Sequence, residues 1–84
     1  MKHLKNFEKL GLKTYIFKYD NYYYYVDDVL GDELVTDPQF ARKFSEKELE
    51  YFNMEEIQKY MEEIYCEEED KMIQITQPFE KIEI

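Results

Sequence analysis

Residues 14–28 read TYIFKYDNYYYYVDD. Two runs of strong β-formers, 15–19 and 22–26, flank the turn dipeptide Asp20-Asn21, and this pattern predicts a β-hairpin. A two-residue turn sets Tyr19 opposite Tyr22, Phe17 opposite Tyr24 and Tyr15 opposite Val26 on one face. Ile16 and Lys18 then oppose Tyr25 and Tyr23 on the other. Strand side chains alternate, so a one-residue slip would exchange the two faces. Lys18 assigns the second face to solvent. Tyr15, Phe17 and Val26 are therefore expected in the core, and Tyr23 and Tyr25 outside it.

Outward from the hairpin, Asp27, Asp28, Gly31 and Asp32 form a turn region, and Leu34, Val35 and Thr36 form a short third strand. Asp37-Pro38 starts a helical turn, with Asp37 as N-cap and Pro38 in the first helical position. Phe40, Ala41 and Phe44 are expected to face inward. Toward the N-terminus, Leu4, Phe7 and Leu10 recur at i, i+3, i+6 before Gly11, the pattern of a short helix closed by glycine.

Ser45-Glu46-Lys47-Glu48 is a capping-box sequence, and Asn53-Met54-Glu55-Glu56 resembles a second one. Ile57, Tyr60, Met61, Ile64 and Tyr65 follow i, i+3, i+4, i+7, i+8, which predicts one face of an amphipathic helix. Met72, Ile73 and Ile75 suggest a strand interrupted at Pro78, and Ile82 and Ile84 suggest a last edge strand. The expected fold is one α+β domain over residues 1–84. A small, mostly antiparallel sheet packs against an acidic amphipathic helical segment, residues 45–67.

Charge is concentrated in the same region. The chain has 84 residues and a net charge of −9 at pH 7. Residues 45–70 hold eleven acids against Lys47 and Lys59, and so carry all of that charge, while the rest of the chain is balanced. A neutral domain with one acidic segment points to a surface that meets something positive. On a helix, Glu55, Glu56, Glu62, Glu63 and Glu67 would form a negative ridge, with Glu68, Glu69 and Asp70 extending it past the last turn. There they oppose the helix macrodipole. These eight residues, with the outward Tyr23 and Tyr25, are the candidate partner-binding set.

Other chemistries find little support. A chain this short buries roughly 60–65% of its unfolded surface, so its core must be economical. Nine Tyr and six Phe, with no Trp, predict an aromatic one. The single cysteine, Cys66, forms no intrachain disulfide and fits a reducing compartment. Its acidic neighbours disfavour the thiolate, so it is expected to be an ordinary semi-exposed thiol rather than a nucleophile. His3 sits near the terminus and is not placed as a base. The 67–70 run supplies hard oxygen ligands but lacks the EF-hand spacing of a Ca²⁺ loop. No P-loop, dinucleotide fingerprint, CxxC or HExxH occurs. No cofactor and no catalytic residue are therefore expected. Negative charge also opposes direct binding to nucleic acid or to anionic lipid, despite the tyrosine run. No apolar run approaches the ~20 residues of a membrane span. Lys2, His3, Leu4 and Lys5 open the chain without an apolar run behind them, so a cytoplasmic protein without a secretory signal is expected.

The order is a tyrosine-rich hairpin, a short strand, then LVTDPQFARKFSEKELEYF from Leu34 to Phe52. It resembles small accessory proteins encoded by bacteriophages of low-GC Gram-positive hosts. The resemblance rests on the aromatic strand 22–26, Thr36-Asp37, Ala41-Arg42-Lys43-Phe44 and Ser45-Glu46-Lys47-Glu48, and covers roughly residues 14–75. It carries over no catalytic residue. It implies a small acidic inhibitor of host nucleases or defence systems, of anti-CRISPR or anti-restriction type. The expected mechanism is occlusion of a basic nucleic-acid-binding groove in a host protein, with carboxylates taking the place of phosphates. The alternative is a non-enzymatic phage adaptor that binds through its tyrosine-rich sheet face.

Overall fold

The computed structural model describes residues 13–84. The predicted helix around Leu4, Phe7 and Leu10 lies outside them, as does His3. Seven strands form one mixed sheet: β1 (Thr14–Tyr19), β2 (Tyr22–Asp27), β3 (Gly31–Val35), β4 (Phe44–Ser45), β5 (Glu63–Cys66), β6 (Lys71–Gln74) and β7 (Glu80–Glu83). The order is β4-β1-β2-β3-β5-β6, with β7 also on β1. Every pairing is antiparallel except β3 with β5.

The hairpin forms at Asp20-Asn21 with Tyr19 opposite Tyr22 and Lys18 opposite Tyr23. Asp20 takes φ 55°, a left-handed conformation that a short polar side chain tolerates. Beyond Tyr23 the two strands part. The Arg42 amide donates to the Tyr24 carbonyl at 2.8 Å, and Tyr15 pairs with Phe44 instead of Val26. The predicted core face is therefore corrected. Phe17, Tyr19 and Tyr24 are buried, Tyr15 is half-buried under the Lys81 ammonium, and Val26 is exposed. Ile16, expected outside, is buried as well. Ala41 and Phe44 face inward as expected, but Phe40 remains 59% exposed.

The largest correction concerns the acidic segment. It holds no long helix, and the fold is a sheet-dominated one. Both predicted caps form. Ser45 and Glu48 exchange the reciprocal bonds of a capping box at 2.9 and 3.1 Å, and Asn53 Oδ1 accepts from the Glu56 amide. Yet the first opens only a 3₁₀ turn, Glu48–Glu50, and the second only α1 (Met54–Gln58). Helices this short are marginal without packing, and the adjacent glutamates have few basic partners at helical spacing. Residues 63–66 instead extend as β5. Ile64 and Cys66 alternate with Glu63 and Tyr65, so they also satisfy a period of two, and a strand there gains ladders on both sides, to β3 and to β6. Cys66, expected to be semi-exposed, is fully buried in the core.

The sheet curls. Only residues 75–79 join β6 to β7, a link of at most about 20 Å. In a flat sheet those strands would lie roughly 24 Å apart. The Tyr19 hydroxyl marks the approach: it donates to the Gln74 carbonyl at 3.0 Å and accepts from the Thr76 amide at 2.8 Å. Inside the curve, Phe44 stacks on Phe52 with centroids 4.5 Å apart and meets Phe17 edge-on at 5.4 Å. Phe79 closes the open side against Tyr19 and Tyr24. Leu34, Met54, Ile64 and Cys66 complete the core.

Strand geometry at residues 63–66 separates two positions that a helix would make equivalent. Ile64→Ala should cost about 2–4 kcal/mol through the cavity it leaves. Tyr60→Ala, at a residue 86% exposed, should change stability by less than about 0.5 kcal/mol. Denaturant melts of the two variants check this, and comparable losses would restore the helical register.

Candidate partner-binding site

The predicted carboxylates do not form a ridge. They fall into three groups, set by three different elements. Glu55 and Glu56 stand exposed on α1, where Glu56 pairs with Lys59 at 2.7 Å. Glu62 precedes β5, and Glu63 opens it and accepts from Gln74 Nε2 at 2.9 Å. Glu67, Glu68, Glu69 and Asp70 form the turn between β5 and β6.

Three of the four turn acids hold the turn in place. Glu68 accepts from both the amide and the hydroxyl of Thr36, each at 2.7 Å, which ties the turn to the end of β3. Glu69 accepts from the Tyr22 hydroxyl at 2.5 Å and pairs with Lys71. The Tyr22 bond holds the Glu69 carboxyl below the usual carboxylate range and in return pushes the Tyr22 phenol up. Asp70, at φ 50°, accepts from the Tyr65 hydroxyl and pushes that phenol up as well. Glu67 is exposed.

The outer face of the sheet, opposite Leu34 and Ile64, joins the two predicted sets. Register places Tyr23 beside Val35, and Glu33 between Tyr25 on β2 and Tyr65 on β5. A cleft of about 320 Å³ opens here. Its apolar walls are Tyr25, Val35 and Phe40, and its acids are Asp27, Glu33, Glu67 and Glu68. Among the described residues, no Lys or Arg lines it. Of the predicted residues, Tyr25, Glu67 and Glu68 meet in the cleft and Tyr23 adjoins its wall. Glu55, Glu56, Glu62, Glu63, Glu69 and Asp70 are not among its lining residues.

Asp27, Glu33, Val35 and Phe40 were missed by sequence reasoning. Alternation in Gly31-Asp-Glu-Leu-Val35 puts Glu33 on the face opposite Leu34. That signal was present, but the flanking tyrosines that bury Glu33 come from separate strands. Only 3% of Glu33 is exposed, and its Oε2 makes no hydrogen bond among the described residues. Desolvation pushes its carboxyl pKa up, helped by the negative charges of Glu67 and Asp27. Asp27 behaves oppositely. Its Oδ1 accepts from the amides of Val29 at 2.7 Å and Leu30 at 2.9 Å, and these bonds hold its pKa down. Asp27 is thus held ionised, whereas Glu33 meets a penalty when it ionises.

Among the described residues, no group of three or more His, Cys, Asp or Glu side chains is placed to hold a metal ion. No helix there is long and apolar enough to cross a membrane. No protein-family profile, curated protein or solved structure matches the chain.

The Glu33 environment fixes the sign of a pH effect. Between the ordinary glutamate pKa and the raised native value, the folded state binds more protons than the unfolded one. Stability attributable to Glu33 therefore falls as pH rises through that window. Glu33→Gln should stabilise the protein at neutral pH. Its advantage over the parent should shrink to nothing below the ordinary glutamate pKa of about 4.3. Paired melts across pH check this, and an equal difference at every pH would contradict it.

Proposed function

We propose that this chain is a non-enzymatic binding protein whose acidic surface engages a basic groove of a host protein and occludes it. The observation that carries the reading is the charge distribution: nine net negative charges arise within residues 45–70. The structured part of that segment presents them from a short helix, a strand entry and a tight turn. Carboxylates spread over such a surface attract Arg and Lys, speed encounter, and compete with phosphate for the same donors. A nucleic-acid-binding nuclease or defence complex in a bacterial cytoplasm is the partner class that fits, in an anti-CRISPR or anti-restriction role. These acids form three separate groups rather than a helical ridge, and the reading does not depend on one.

The tyrosine-face adaptor is a second reading, favoured by one observation. Tyr25 and the exposed Phe40 share a cleft with the acids, so aromatic contact and charge act at one place. Aromatic side chains are enriched at the centres of interfaces.

Salt separates the two. The immobilised chain should capture a basic nucleic-acid-binding protein from bacterial lysate, release it in ~1 M salt, where screening shortens to about 3 Å, and abolish its binding to DNA or RNA. A Glu55→Lys, Glu62→Lys, Glu67→Lys variant changes three exposed positions, should stay folded, and should lose affinity by orders of magnitude. Capture that persists in high salt and survives the triple change would favour the adaptor. Capture without loss of nucleic-acid binding would refute occlusion.

A further inference from the structure

The cleft on the outer face holds an acceptor with no donor among the described residues. Glu33 lines it, is only 3% exposed, and has an Oε2 without a hydrogen bond among the described residues. Buried polar atoms are nearly always paired, and a lone buried carboxylate oxygen is costly. Around it stand Asp27, fixed in its turn by two amides, and Glu67, with Glu68 held against Thr36. Two rings, Tyr25 and Phe40, form walls, and Phe40 is kept exposed at the end of a 3₁₀ turn capped by Asp37. Negative charge and aromatic faces together select an organic cation. Of the two that proteins carry, the guanidinium is planar, weakly hydrated and able to bond a carboxylate through two N–H groups, so it loses less than an ammonium on entering a half-dry site.

We propose that the cleft receives an arginine side chain of the basic partner, whose guanidinium donates to the Glu33 carboxylate and lies against the ring of Tyr25 or Phe40. This assignment rests on the acidic-surface reading and names the residue that anchors it. Glu33 turns its carboxylate from its buried position toward the cleft, and the arriving cation offsets the desolvation that penalises its charge. Asp27 and Glu67 add negative potential without having to touch the ligand. The remaining acids of the surface then steer the partner, while this one position holds a specific side chain.

Titration of the ¹⁵N-labelled chain with N-acetyl-L-argininamide tests the assignment, with the lysine analogue and the neutral citrulline analogue in parallel. Poly-L-arginine serves as the probe of the acidic surface as a whole. Saturable shifts should centre on Tyr25, Glu33, Phe40 and Glu67, with arginine binding more tightly than lysine and citrulline not at all. Glu33→Gln should weaken argininamide about tenfold or more. Phe40→Ala, at an exposed position, should weaken it severalfold in a fold verified by the same spectra, while Glu80→Gln on β7 should have no effect. Equal binding of citrulline, or undiminished binding to both folded variants, overturns the assignment. Poly-arginine binding with shifts spread over 46–63 and none in the cleft also overturns it but leaves the acidic-surface reading intact. Absence of binding by poly-arginine and argininamide alike overturns both.

Discussion

The parallel pairing of β5 with β3 is the constraint on which the remaining structure depends. It sets Leu34 beside Cys66 in the core and Glu33 beside Tyr65 on the outer face. From the first contact follows the continuity of the core. From the second follows the burial of a carboxylate between two tyrosines. The turn after β5 must then lie near the end of β3, where Glu68 fastens it to Thr36 and Glu67 reaches the cleft. Parallel neighbours need a crossover. Here it is residues 36–62, which carry two 3₁₀ turns, β4 and α1 and include the first half of the acidic segment.

Charge and packing divide the acidic residues into two populations. Glu48, Glu68, Glu69 and Asp70 spend their carboxylates on local structure: a capping box, a tie to a neighbouring strand, and two phenol contacts. Such bonds explain how a turn of four consecutive acids persists without flying apart. Glu55, Glu62 and Glu67 are exposed, and their carboxylates are not engaged in these local ties. Glu33 belongs to neither population. It is buried where no described residue satisfies its Oε2, and departures of this kind from local rules concentrate at functional sites.

Much of the β architecture was legible in the chain. The Asp20-Asn21 turn, the third strand near Leu34 and Val35, the Asp37 cap, the strand after residue 70 and the edge strand at Ile82 all follow from local chemistry: turn residues, β-branched and aromatic runs, and side-chain oxygens near free amides. The caps at Ser45 and Asn53 were legible too, but a cap marks where a helix starts and says nothing of how far it runs. Residues 57–65 satisfy both a helical and an alternating period over their last turn, and partners far away in sequence decide between them. The same limit hid the cleft. Tyr25 and Glu67 are ordinary in their local context, and only strand order brings them to Glu33.

The central claim is that strand order, rather than a helical ridge, shapes the acidic face, with Glu33 walled in by Tyr25 and Tyr65. Site-resolved ¹³C titration of the Glu33 side-chain carboxyl measures this most directly. The account predicts a midpoint above that of the exposed glutamates in the same spectra, because β2 and β5 shut water away from it. A Glu33 midpoint indistinguishable from theirs would mean that β5 does not lie beside β3, and the cleft built on that pairing would fall with it.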